Sequence, residues 1–112
     1  MYHQGDIVLV NFPLPKGFKP HPAIIISCKD VYESEDCYVG LMITSSIIQD
    51  NFTFNINNEM LINPLDKPSQ VRCQLIALFH EDEIQNKLSK LKKEYFLNLI
   101  KQLNNNVFGV DI

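Results

Sequence analysis

Few side chains in this 112-residue chain combine a reactive type with a telling position. His21 stands between Pro20 and Pro22, and an imidazole, which titrates near neutral pH, can give or take a proton. Thr44, Ser45 and Ser46 form a hydroxyl cluster at the end of an apolar run. Arg72 lies in the longest strand-like stretch, and its planar guanidinium suits an oxyanion such as a carboxylate or phosphate. Each has a plainer reading. His21 could be an exposed loop residue or a loop anchor. Thr44 and Ser45 could be turn hydroxyls satisfying local backbone groups. Arg72 could pair with an acidic neighbour for structural reasons. His3 and His80 have no evident partner and are expected at the surface.

Metal chemistry has little support. Cys28, Cys37 and Cys73 are odd in number and far apart, with no Cys-x-x-Cys pair and no short Cys–His spacing. They read as free thiols of a reducing compartment, two or three of them buried, and no cofactor is expected. The net charge of −3 argues against a protein that coats nucleic acid by bulk electrostatics. It leaves room for one local basic pocket. The opening Met1–Asp6 segment lacks the basic and apolar regions of a secretory signal. Apolar runs of roughly five or six residues fall well short of the ~20 needed to span a bilayer. The expectation is a cytoplasmic protein with no membrane partner.

Such residues need elements to hold them, and the length suits one domain over residues 1–112. Gly5-Asp6 is a turn signal before the β-branched run Ile7–Val10. Phe12–Pro22 carries four prolines, together with Lys16 and Lys19, and is expected to be a loop. Ala23–Ser27 reads as a strand buried on both faces, Asp30–Asp36 as an acidic turn, and Tyr38–Thr44 as a third strand. Phe52–Ile56 alternates like a strand with one wet face. Gln70–Phe79 is the longest strand, with a bend expected in its middle. Tyr95, Phe96, Leu99, Ile100 and Leu103 recur at helical period, placing the one expected helix over Lys92–Asn104. Phe108, Val110 and Ile112 alternate, which predicts a short terminal strand. Short strands followed by one amphipathic helix describe a mainly β protein, a small barrel closed by a C-terminal helix.

Several stretches together resemble the MazF/PemK family. They are Gly5–Val10, the loop with Gly17, Pro22–Ser27, the strand ending Ile43-Thr44-Ser45, and Ser69–Cys73 with the later Leu78. Ile84–Leu103 resembles the family's closing connector and helix. The resemblance covers nearly the whole chain and implies an SH3-like β-barrel of the CcdB/MazF/PemK type. It also implies a toxin endoribonuclease that cuts single-stranded RNA without metal, acts as a homodimer and is neutralised by a cognate antitoxin.

The products implied are a 2′,3′-cyclic phosphate and a 5′-hydroxyl. That chemistry needs a base for the 2′-hydroxyl, an acid or cation for the leaving oxygen, and donors for the charged phosphorane. By resemblance Arg72 clamps the scissile phosphate and Thr44 donates to it, with Ser45 adjacent. Ser69, Lys16 and Lys19 are implied RNA contacts, although solvated lysines are the ordinary use of such loop residues. Tyr38, Phe52 and Phe54 could stack on bases or simply be core aromatics.

Two departures stand out. His21 replaces the arginine that usually precedes the signature proline. Gln74 stands where PemK-like members carry an aspartate proposed as the base, and glutamine cannot hold a proton. Gln74 is left as a substrate contact, and His21 can fill the empty role of base. The sequence admits both a rearranged site and an inactive one. The alternatives are therefore a catalytically silent RNA- or protein-binding module and, below it, a CcdB-like gyrase inhibitor. The tail Phe108–Ile112 shows no match to the segment that carries the gyrase contact in those relatives.

Overall fold

The computed structural model describes residues 1–15 and 17–112, with backbone alone at Phe12, Pro13, Leu14 and Phe18. Six strands run as β1 (Asp6–Leu14), β2 (Gly17–Ile25), β3 (Cys37–Thr44), β4 (Thr53–Ile56), β5 (Ser69–His80) and β6 (Ile84–Lys90). Helix α1 (Lys29–Glu35) joins β2 to β3, and α2 (Lys93–Asn106) follows β6. Single 3-10 turns occupy Asn58–Met60 and Glu81–Glu83.

All neighbouring strands pair antiparallel, in the order β4-β5-β3-β2-β1-β6. The sheet is not closed by a ladder between its edge strands. It is joined past them by one bridge, Leu61↔Leu91, flanked by backbone bonds from Ile62 N to Lys90 O and from Lys92 N to Met60 O. Gly5, at φ +90°, makes the turn into β1 while its N–H and C=O bond Ile25 and Leu91. Only glycine takes that backbone angle without strain.

The loop expected over Phe12–Pro22 is instead the outer half of a long β1–β2 hairpin. Its ladder continues through Leu9↔Pro22, Asn11↔Pro20 and Pro13↔Phe18 to Leu14↔Gly17. Pro13, Pro20 and Pro22, the three of its four prolines that lie in the ladder, fall on the same alternate pairs. A proline fits a ladder only where its missing N–H would point away from the partner strand. Beyond Val10 on β1 and before Ala23 on β2 no further strand waits on the far side. The prolines therefore remove no donor that the sheet uses.

Both faces of the sheet are covered, which explains the unbroken apolar run in β2. One face puts Ile7, Ile24, Leu41, Ile43, Val71 and Cys73 under α2, which buries Phe96, Leu99 and Leu103 against them. The other gathers Val8, Val10, Ala23, Ile25, Tyr38, Phe79 and Ile84. Glycine at position 40 of β3 is demanded by this second core. A Cβ there would sit 2.6 Å from a Phe79 ring carbon and 3.1 Å from Ile24 O.

Several expectations are corrected. The acidic stretch forms helix α1 rather than a turn. The connector before the final helix holds a true strand, β6. The tail forms no strand, and its Phe108, Val110 and Ile112 are exposed. Of the three free thiols only Cys73 is buried, Cys28 being exposed and Cys37 half-buried. Tyr38 is a core residue, while Phe52 and Phe54 are half-buried. No helix among the described residues is long and apolar enough to cross a membrane.

Candidate functional site

The bend expected in β5 is a large bulge. From Leu41 to Met42 on β3, the partner on β5 jumps from Ile76 to Arg72, so Cys73, Gln74 and Leu75 have no β3 partner. Such an insertion bends a strand and re-aims its side chains. Below the bulge the pairs Met42↔Arg72, Ile43↔Val71 and Thr44↔Gln70 resume. Ile43 and Val71 point into the core under α2, so Thr44, Gln70 and Arg72 share the opposite face. Diagonal neighbours of this kind lie roughly 7–8 Å apart, within reach of a long side chain. His21 shares that face by alternation with Ala23 and Ile25, which belong to the second core. The β2–β3 ladder ends at Ala23↔Met42, and His21 and Thr44 lie two residues beyond it on the two strands.

A 430 Å³ depression confirms the neighbourhood. His21, Thr44, Ser45 and Ser69 line it together with Pro22, Asp66, Lys67 and Leu88. A second depression of 680 Å³ adjoins it through Ser45 and Ser69 and is walled by Ser46–Asn51, Thr53 and Gln70. The Ser45–Asn51 loop is held by side chains that lie outside it. Ser46 N bonds Thr44 Oγ1 at 3.1 Å, Ile48 N bonds Gln70 Oε1 at 2.9 Å, and Asn106 of α2 donates to Asn51 O at 2.7 Å.

Arg72 lies against that loop and is engaged there. Its Nη1 donates to Asp50 Oδ2 at 2.9 Å and to Thr53 Oγ1 at 2.8 Å. The other Asp50 oxygen accepts from Phe52 N at 2.9 Å and Thr53 Oγ1 at 2.8 Å. The Thr53 hydroxyl bond first, then the Phe52 N–H and Arg72, hold the Asp50 carboxyl below the usual carboxylate range against the opposing cost of desolvation. Only 11% of the Arg72 side chain is exposed.

The other candidates fall elsewhere. Gln74, inside the bulge, lines a separate depression with Val10, Met42, Leu75, Ile76 and Leu78, and its buried Oε1 has no protein partner. Lys19 is exposed on β2, and Lys16 lies outside the described residues. His3 and His80 are exposed, the His80 Nδ1 lying 3.2 Å from Asp36 O. Among the described residues no three His, Cys, Asp or Glu side chains gather as a metal site. Sequence reasoning missed Asp50, Thr53 and Lys67. An aspartate two residues before a backbone N–H that it caps is a common turn device, but nothing in the sequence ties it to an arginine 22 residues on.

The profile of PemK-like, MazF-like toxins of type II toxin–antitoxin systems matches residues 3–107. The chain belongs to that family. No curated protein sequence matches it significantly. Solved structures similar in fold include a mycobacterial endoribonuclease in complex with its cognate antitoxin, at TM-score 0.79 and 15% identity over 100% of this chain and 99% of that one. The Mycobacterium tuberculosis toxin MazF-mt6 superposes at 0.76 with 17% identity over 96% and 99%. A MazE–MazF complex from Deinococcus radiodurans gives 0.77 with 14% identity over 98% of each chain. At such identities the likeness is one of fold, and it extends from end to end.

Proposed function

We propose that this family member is a toxin-type endoribonuclease that cleaves single-stranded RNA without a metal ion, in the cytoplasm, under the control of a cognate antitoxin. The observation that carries the reading is the shared cavity of His21, Thr44, Ser45 and Ser69, with Arg72 beside Thr44 on the same sheet face. Its volume suits a nucleotide phosphate and ribose rather than a whole folded ligand. In the reaction, His21 takes the proton of the 2′-hydroxyl, whose oxygen attacks the adjacent phosphorus. Arg72 and the Thr44 hydroxyl stabilise the charge that builds on the phosphorane oxygens. The P–O5′ bond then breaks, Lys67 at the cavity wall neutralises the departing oxygen, which takes a proton from water, and His21 releases the 2′-hydroxyl proton to solvent. A 2′,3′-cyclic phosphate and a 5′-hydroxyl result. Ser45 serves as a phosphate donor at the mouth, Ser69 joins it by turning its hydroxyl from Lys67 O, and Lys19 and Lys16 contact the RNA backbone.

The homodimer in this reading has a suitable surface. β4 covers β5 only over Ser69–Arg72, so from Ile76 onward β5 is paired with β3 alone, and Gln74 and Leu75 pair with neither. That stretch carries the exposed Leu75, Ile76 and Leu78. An apolar, uncharged strand edge is a template for pairing with another chain.

One observation favours a second reading, the silent binding module. Arg72 is already neutralised by Asp50, and the position two beyond it holds a glutamine that faces a different depression. Induced expression with mapping of cellular RNA 5′ ends separates the two. A nuclease yields growth arrest with discrete new ends, lost in Arg72→Ala, whereas the module yields neither from folded protein.

A further inference from the structure

The engagement of Arg72 suggests how its site is regulated. Asp50 and Thr53 line the 680 Å³ depression, while Arg72, bonded to both, lies behind them and largely buried. The bond leaves from Nη1 to a carboxylate oxygen at 2.9 Å, the contact that a phosphate oxygen would make. Asp50 is set for this by contacts that do not involve Arg72. Its Oδ1 is fixed by Phe52 N and Thr53 Oγ1, which leaves Oδ2 to the guanidinium.

We propose that Asp50 is an intramolecular latch, a carboxylate that occupies Arg72 until a phosphate of the RNA backbone displaces it. The proposal rests on the nuclease reading of the site and adds its regulation. The pair is reached from the depression through Asp50, 32% of whose side chain is exposed, so a phosphate that brings its own charge can exchange for the carboxylate. The cost of that exchange lowers the apparent affinity by the fraction of molecules with the latch open. Arg72 in the resting protein is thereby shielded from stray anions, and only a ligand with further contacts at His21, Thr44, Ser45 and Lys67 opens it.

Asp50→Asn tests this, because an asparagine keeps the Oδ1 acceptor for Phe52 N and Thr53 and loses the charge. The probe is a single-stranded 2′-O-methyl RNA, which binds without being cut, read by fluorescence anisotropy at fixed salt. Melting curves check that each variant is folded. Asp50→Asn should bind on the order of threefold to tenfold more tightly than wild type. In an Arg72→Ala background the same substitution should bring little gain, since there is no guanidinium to release. An unchanged affinity, no binding in either protein, or an equal gain in the Arg72→Ala background would overturn the latch, the last showing a general charge effect. Cleavage of unmodified RNA is measured in parallel. Coupling without cleavage keeps the latch and removes the nuclease, and cleavage without coupling does the reverse.

Discussion

Arg72 Nη1 and Asp50 Oδ2 lie 2.9 Å apart, and both side chains also bond the Thr53 hydroxyl. The triangle ties β5, the turn before β4 and the first residue of β4 into one unit. Thr53→Val should remove two of its bonds, leaving Asp50 and Arg72 to meet alone. The expected cost is about 1 kcal/mol of stability, measured by urea denaturation.

Acid should loosen the same unit. The folded Asp50 carboxyl titrates below its ordinary value of 3.8, the Thr53 hydroxyl bond being the largest cause. A depressed carboxyl stabilises the fold above its unfolded pKa, and that contribution is lost as pH falls through the folded value. Wild type should therefore lose stability below about pH 4 more steeply than Asp50→Asn. Paired denaturation curves at neutral and acid pH measure the difference.

Alkali acts on the core. Burial pushes the Cys73 thiol from 9.0 up to about 11, with Arg72 opposing in part, and burial lifts the Tyr38 phenol from 10.0 to about 12. Groups whose neutral form is favoured by folding contribute stability below the unfolded value and lose it as pH rises toward the folded one. Stability should decline from about pH 9 upward, and Cys73→Ala should flatten the first part of that decline. Native protein at pH 8 should be alkylated at the exposed Cys28 and spared at Cys73, as mass spectrometry of peptides would read.

Gly40→Ala should be destabilising. Its Cβ would meet the Phe79 ring at 2.6 Å and the Ile24 carbonyl at 3.1 Å, and neither a packed ring nor a strand backbone yields easily. A loss of about 1–3 kcal/mol is expected in chemical denaturation.

The apolar β5 edge makes a prediction about assembly. Leu78 is 69% exposed and points from the stretch that no second strand covers. Leu78→Asp should convert a dimer to a monomer in light scattering at micromolar concentration, with an unchanged melting curve for the monomer fold.

Much of the fold was legible in the sequence because burial writes itself in patterns. Ile24 and Ile25 sit on opposite faces of a sheet covered on both sides, so their run is apolar without alternation. α2 buries Phe96, Leu99 and Leu103, and their spacing gave the helix. Where burial is slight, the pattern fails. α1 buries no residue, so its acidic sequence carries no helical period. The edge strand β6 shows a polar Gln85-Asn86-Lys87 stretch that is exposed. The hairpin was hidden for another reason, since a proline rules out a strand only when its N–H faces a partner. Thr44, Ser45, Ser69 and His21 stand out by motif and type, and the fold brings them to one cavity. An acidic partner for Arg72 is one of the readings its type allows, but that the partner is Asp50, 22 residues away, leaves no trace in the sequence.

On the proposed reading, Arg72, Thr44 and His21 cut RNA. The direct measurement incubates purified wild type, Arg72→Ala and His21→Ala with end-labelled single-stranded RNA in excess chelator and maps the termini. Wild type should make discrete cuts with 2′,3′-cyclic phosphate and 5′-hydroxyl ends, abolished in Arg72→Ala and reduced at least tenfold, on the order expected for a lost general base, in His21→Ala. Intact RNA with folded wild type, or cleavage that survives Arg72→Ala, would contradict it.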